Sequence, residues 1–431
     1  MFFKKLTFFF ILASICINLF SQESFKDTLS LSIQQADSIF IVQNLSLLAE
    51  KCNVNASKAQ IIQARLFNNP TLIVNQNIIN TEYAKNGGRK WFDITDKGET
   101  SVQIQQLFSL AGKRNKQIKL AELSANREEQ IYFDLLRALK YSLRSGFYNI
   151  YYLEQIVKVY DKEITSLNKL IAVFQSQYEK GYISKKELLR LKSTLFSLEN
   201  EKLGVSSQLI SGLTDFNILM HTTNIYYKPQ PDINKLTIVS LENLKLESLI
   251  DTAYEHRFDL KAAHSDLSIS QMNYAYQKAL AVPGVALSAG WDRNGSYVHN
   301  YNFFGLQFDL PFFNRNQGNI KSAKFNIESS NYKLQSATDQ VKSDVISTYT
   351  NAIENNQLYN KFDKGFITDL DELMVEMLKN YEKKNISLIE FLDYYDAYKG
   401  NVIQLNKLHF NRVDAFEKLN FSVGTEVVFY N

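Results

Sequence analysis

Proline, cysteine and histidine are scarce in this 431-residue chain, and each scarcity excludes something. There are only 5 prolines, and none falls within 113–228 or 312–431, so both stretches are free to run as continuous helix. Pro70, Pro283 and Pro311 lie at the ends of β-like segments, where a missing N–H is tolerated. Pro229 and Pro231 fall between the two halves of the chain. The 2 cysteines, Cys16 and Cys52, form no CxxC, and the chain beyond its N-terminal segment keeps Cys52 alone. No internal disulfide can then form, and Cys52 is expected to be a buried apolar residue. The 5 histidines show neither HExxH nor paired spacing, so no metal site is expected. Without a Gly-rich phosphate loop there is no seat for a nucleotide, and neither a cofactor nor a catalytic residue is expected. A net charge of +3 implies no polyanionic partner, which leaves nucleic-acid binding without support. Beyond the N-terminus no apolar run approaches the roughly 20 residues of a transmembrane helix.

What is present begins with a signal. Lys4 and Lys5 precede an apolar run from Leu6 to Phe20, the pattern of a signal peptide over 1–21 with cleavage near Ser21. Ile15 stands where a small residue should precede a lipidated cysteine, which argues against lipidation at Cys16.

The remainder says nearly everything twice, a little over 200 residues apart. Tyr178-Glu179-Lys180-Gly181-Tyr182-Ile183-Ser184 returns as Tyr381-Glu382-Lys383-Lys384-Asn385-Ile386-Ser387. Asn44-Leu45-Ser46-Leu47 ahead of Pro70 returns as Arg257-Phe258-Asp259-Leu260 ahead of Pro283. A period this long marks a duplicated half-molecule rather than a solenoid module. The first repeat covers 22–220, a linker or small side region 221–247, and the second repeat 248–431. Each half reads as helix, β-hairpin (71–108 and 284–311), very long helix (113–180 and 318–384), tight turn and return helix. The first helix is expected to be continuous from about Ser32 to Asn68.

The hairpins are two-faced. Val285, Leu287, Ala289 and Trp291 alternate with Ala286, Ser288, Gly290 and Asp292; Phe304, Leu306, Phe308 and Leu310 alternate with Gly305, Gln307 and Asp309. Strands of about 8 to 10 residues are long enough to cross an outer membrane. Trp91, Phe92, Trp291, Tyr297, Tyr301 and Phe303 cluster there, as in an aromatic girdle at the lipid boundary. A soluble hairpin packing its apolar face on a helix remains the alternative. Four strands cannot close a barrel alone, so a spanning sheet needs several chains. Along the first long helix, Ile150, Leu153, Val157, Tyr160, Ile164, Leu167, Ile171, Phe174 and Tyr178 step by three and four, a heptad seam. Ile367, Leu370, Met374, Met377 and Tyr381 repeat it. At about 1.5 Å per residue such a helix spans roughly 100 Å, longer than any compact domain needs. Ser184 with Glu187 and Ser387 with Glu390 are capping-box pairs at the restart of each return helix.

These tips and the strand-to-helix junctions carry a family resemblance. Leu110-Ala111-Gly112-Lys113-Arg114 resembles the junction of the heavy-metal (CzcC/CusC-like) branch of the TolC-type outer-membrane efflux proteins, and Phe312-Phe313-Asn314-Arg315-Asn316-Gln317-Gly318-Asn319-Ile320 the family's second junction. The resemblance extends over essentially the whole mature chain. It implies a mainly α fold with a small β part, in which a homotrimer shares a 12-stranded barrel in the outer membrane of a Gram-negative bacterium and a helical barrel in the periplasm. It also implies a channel subunit of a tripartite efflux system. Its partners would be outer-membrane lipid, a periplasmic adaptor and an inner-membrane pump of RND type. By the same resemblance Tyr381, Glu390 and Asp393 correspond to the gate. Gly181, Tyr182, Ile183, Ser184, Asn385, Ile386 and Ser387 would form the adaptor-docking tips. Glu390 and Asp393, three residues apart on one helix face, would make a cation-favouring carboxylate ring in a trimer. Two departures stand out: no lipidated cysteine, and Lys384-Asn385 in place of the second tip's glycine. A conduit for type I protein secretion keeps the fold and changes the cargo; a secreted structural coiled-coil protein is a rival of another class.

Overall fold

The computed structural model describes residues 27–76, 99–223, 225–232, 241, 244–293, 298–361, 365–383 and 385–429. The expected signal peptide, Cys16, Trp91, Phe92, Tyr297 and Lys384 lie outside them. The chain divides into two units, and each takes pieces from both sequence repeats. The first comprises 1–49, 135–257 and 341–431; the second comprises 50–134 and 258–340.

Helix α1 (Ile33–Gln43) starts at a Ser32–Gln35 capping box, and α2 (Leu45–Arg65) follows after a single extended residue, Asn44. The expected continuous helix is therefore broken, and the break is stabilised by side-chain bonds rather than by glycine or proline. Asn44 Nδ2 donates to the Leu219 carbonyl at 2.9 Å, and its Oδ1 accepts from Leu47 N–H at 3.0 Å. The second repeat breaks at the equivalent place. Arg257, extended and buried, separates α5 (Leu246–His256) from α6 (Phe258–Leu280) and donates to Asp344 at 2.8 Å. Helix α3 (Lys113–Glu179) runs its 67 residues unbroken, as its composition requires, and α4 (Lys185–Leu219) returns from its end. The second long helix, expected over 318–384, is described instead as α7 (Gln317–Lys361) and α8 (Phe366–Glu382), with Gly365 as the N-cap of α8. Its return helix is α9 (Leu388–Val423).

The region expected to be a linker contributes a strand. In the first unit β1 (Asp27–Leu31) pairs in parallel with β4 (Ile225–Pro229). Tyr227 is buried there, and Tyr226 donates to Glu154 at 2.8 Å. The core of this unit contains Phe40, Phe147, Phe216 and Phe416. Beside it the buried Arg144 guanidinium meets Asp37 at 2.8 Å, Glu426 at 3.0 Å and Glu417 at 3.4 Å. Three carboxylates around one guanidinium satisfy its fork and tie α1, α3, α9 and the C-terminal segment together.

The second unit holds an antiparallel sheet in the order β2 (Thr71–Gln76), β3 (Thr100–Phe108), β5 (Val285–Arg293), β6 (Tyr301–Gln307). The two hairpins thus join through β3 and β5 into one sheet. The expected strand 304–310 ends at Gln307, and Cys52 is exposed on α2 rather than buried. Most residues of α2 face solvent in the chain, which is why an apolar residue there finds no core.

Candidate functional site

Register decides what the sheet can do. Val102 lies opposite Val74 and Trp291, and Ile104 opposite Leu72 and Ala289. Phe304 lies opposite Ala289, and Leu306 opposite Leu287. All these side chains share one face, and Leu72, Val74, Ile104, Phe304 and Leu306 are each more than half exposed. The other face carries Ser101, Gln103, Gln105, Ser288, Gly305 and Gln307, with Gln105 Nε2 donating to Gln307 Oε1 at 2.9 Å. Gly290 is required on that face. A Cβ there would stand 2.5 Å from the Phe303 ring and 2.7 Å from the Val102 carbonyl. Phe303 therefore covers a backbone that any side chain would displace. Of the expected girdle, Trp291 lies on the apolar face, and Tyr301 and Phe303 lie on the polar one. The proposed common belt therefore divides between the two faces.

Both strand-to-helix junctions anchor on the preceding helix. Ala111 and Gly112 take left-handed backbone conformations (φ 57° and 64°), and Arg114 then donates to the Arg65 carbonyl and stacks over Phe67 at 3.9 Å. In the second junction Asn316 (φ 58°) donates to the Gln277 carbonyl at 2.8 Å.

The helical tips lie in the first unit. Gly181 (φ 77°) closes the end of α3, with Tyr182 N–H donating to the Gln177 carbonyl at 2.9 Å. At the second tip Asn385 N–H donates to the Asn380 carbonyl, also at 2.9 Å, so the closing bond survives the loss of the expected glycine. Both capping boxes form: Glu187 N–H donates to Ser184 Oγ at 3.3 Å, and Glu390 N–H to Ser387 Oγ at 3.2 Å. Gly181, Tyr182, Ser184, Asn385 and Ser387 are exposed, while Ile183 and Ile386 pack on the apolar cluster behind the tips.

That cluster is where Tyr381 belongs. Its ring stacks on Phe174 at 5.2 Å and on Phe391 at 4.8 Å, joining α8 to α3 and α9. It is 6% exposed, and its hydroxyl has no hydrogen-bond partner among the described residues. Burial, and then the charge of Glu187, push its phenol well above the ordinary tyrosine range. Glu390 and Asp393 are exposed on α9, whereas Tyr381 is buried. The Tyr381 stack fixes where α8 sits.

From Val157 onward the seam in α3 differs from the expected one at every second position. Ile156, Tyr160, Leu167, Leu170 and Phe174 are buried, while Val157, Ile164 and Ile171 are half-buried and Tyr178 is exposed. The register includes Glu163, an acid only 3% exposed. An apolar count passes over such a residue; the sequence signal was its place on the seven-residue spacing between Ile156 and Leu170.

A duplicated, mainly helical fold with one two-faced sheet and two capped tips is the class these features define. Comparison with known proteins agrees: residues 249–359, from α5 through β5 and β6 into α7, match the family described as Outer membrane efflux protein. No curated protein matches the sequence. Among solved structures the chain is similar to a membrane protein from Pseudomonas aeruginosa (TM-score 0.75, 14% identity, covering 91% of this chain and 92% of that one). CusC gives a TM-score of 0.74 at 14% identity over 95% of this chain and 96% of the other. The Campylobacter jejuni outer membrane channel CmeC gives 0.74 at 12% identity over 91% and 85%. These likenesses establish the fold.

Proposed function

We propose that this chain is one subunit of an outer-membrane efflux channel that closes only as a homotrimer. It would export small molecules or metal cations passively, with an inner-membrane pump of RND type delivering them through a periplasmic adaptor. The sheet carries this reading: one face is apolar and exposed, and edge strands β2 and β6 have no partner strand among the described residues. In lipid each unsatisfied backbone group costs several kcal/mol, so open edges do not persist there. Three copies joined β2 to β6 would remove every edge and give a 12-stranded barrel with lipid outside and the Gln/Ser face within.

The tips supply the gate in this scheme. The Phe174–Tyr381–Phe391 stack would hold α8 closed, and Glu390 with Asp393 would line the constriction. An adaptor would dock on 180–187 and 383–390. The junction at 110–114 favours the heavy-metal branch and hence cation cargo. The test is single-channel recording of purified protein in a planar bilayer, with subunit count from native mass spectrometry. A trimer with small, cation-preferring, rarely opening currents is expected. Replacing Glu390 and Asp393 together by Ala should raise closed-state conductance and weaken cation preference. A monomer that never inserts would overturn the proposal.

A further inference from the structure

Behind the Tyr381 stack, α3, α8 and α9 enclose a cavity of about 100 Å³. Leu167, Leu170, Met374 and Leu378 form apolar walls, and Glu163 and Tyr395 line it together with Lys162, Asp371 and Tyr398. Glu163 is 3% exposed and forms no ion pair among the described residues, and Tyr395 is 2% exposed. The Tyr395 hydroxyl faces the Glu163 carboxylate without reaching hydrogen-bond geometry, and has no other partner among the described residues. The neighbouring cations are engaged elsewhere. Lys162 donates to Asp371 and Tyr398, both at 3.3 Å, and Lys399 pairs with Glu201 at 3.0 Å and Asp396 at 3.5 Å.

A buried carboxylate without a cation is costly unless it is protonated or given a partner. Here it borders an apolar cavity lined by the rings of Phe391, Tyr395 and Tyr398. That donor set suits a cation with an apolar body: the carboxylate takes N–H donors, and aromatic faces attract positive charge. A bare metal ion is poorly served, because a hard divalent cation seeks about six or more oxygens. We infer that this cavity binds a small organic ammonium ion, its nitrogen on Glu163 and Tyr395 and its body between Leu167, Leu170, Met374 and Leu378. A cavity of about 150 Å³ accommodates benzene, so this one takes a short chain or most of a ring, the rest reaching the mouth. Met374, Leu378 and Tyr381 follow one another along one face of α8, so an occupant braces the helix that Tyr381 pins.

The test is calorimetric titration of the full chain in detergent with benzylammonium chloride, and with benzyl alcohol as the neutral counterpart. One saturable site per chain is expected for benzylammonium, with benzyl alcohol at least about tenfold weaker. Glu163→Gln should weaken benzylammonium by a similar factor. Val375→Trp, an exposed position lining the cavity, should obstruct entry without disturbing the buried groups. No saturable binding, equal affinity for ammonium and alcohol, or unchanged binding in Val375→Trp would each overturn the inference.

Discussion

Tyr381 is legible by type in the sequence, whereas the stack that buries it depends on Phe174, about 200 residues earlier. The duplication places it opposite Tyr178, and the family resemblance makes it part of a gate, yet Tyr178 is exposed while Tyr381 is stacked between two rings. Its ring should matter far more than its hydroxyl, which has no partner to lose. Tyr381→Phe should leave stability within about 0.5 kcal/mol, whereas Tyr381→Ala should cost about 3–5 kcal/mol by opening the stack. Chemical denaturation of both variants checks this, and equal costs would show that the hydroxyl has a partner. Glu163 was hidden for the opposite reason, because an apolar count discards an acid that sits in register. Burial pushes its carboxyl up, against the lowering influence of Tyr395, Lys162 and Lys399, while Asp371 adds to the rise. The folded state therefore favours the protonated acid. Its contribution is complete below the ordinary glutamate range and is lost as pH rises through the raised value. Glu163→Gln should remove that decline, so melting temperatures recorded from pH 4 to 8 should fall more steeply in the parent than in the variant. Parallel curves would mean that Glu163 titrates normally.

Elements were legible where composition alone sets them and illegible where long-range partners do. The 67 residues of α3 follow from a stretch without proline, and both return helices begin at capping boxes that three-residue spacing reveals. The alternation of β5 and β6 likewise gave their faces correctly. By contrast, the breaks at Asn44 and Arg257 lie in otherwise helical sequence and depend on Leu219, Asp344 and Ser422, between 87 and 175 positions away. Strand β4 was hidden too, since its parallel partner β1 lies almost 200 residues earlier. The Asn44 break is testable. Asn44→Ala would leave the Leu47 N–H and the Leu219 carbonyl without their present partners, at a cost of about 1–3 kcal/mol. Denaturant titration should show a lower midpoint with little change in slope. A variant as stable as the parent would mean that α1 and α2 merge into the single helix the local sequence favours.

At the scale of the whole molecule, each unit separately carries a surface that one chain leaves uncovered. In the second unit it is the sheet, whose edge strands β2 and β6 have no partner strand among the described residues and whose apolar face is exposed. In the first it is a line along α4: Leu189, Phe196, Leu203 and Ile210 recur every seven residues, and all are more than half exposed. Over about 30 Å of helix this is the stripe of a coiled-coil partner rather than a scatter of surface leucines. The seven-residue period drifts only about 20° per repeat, so the four side chains stay on one face. If copies of the chain cover this stripe, Phe196→Glu combined with Leu203→Glu should abolish assembly while leaving the fold intact. Both positions are already exposed to water in the chain, so the substitutions bury no charge in its core. The expected result is unchanged helical content by circular dichroism, native mass spectra shifted from trimer to monomer, and no channel activity in bilayers. A trimer that persisted with full conductance would assign the stripe to a different partner.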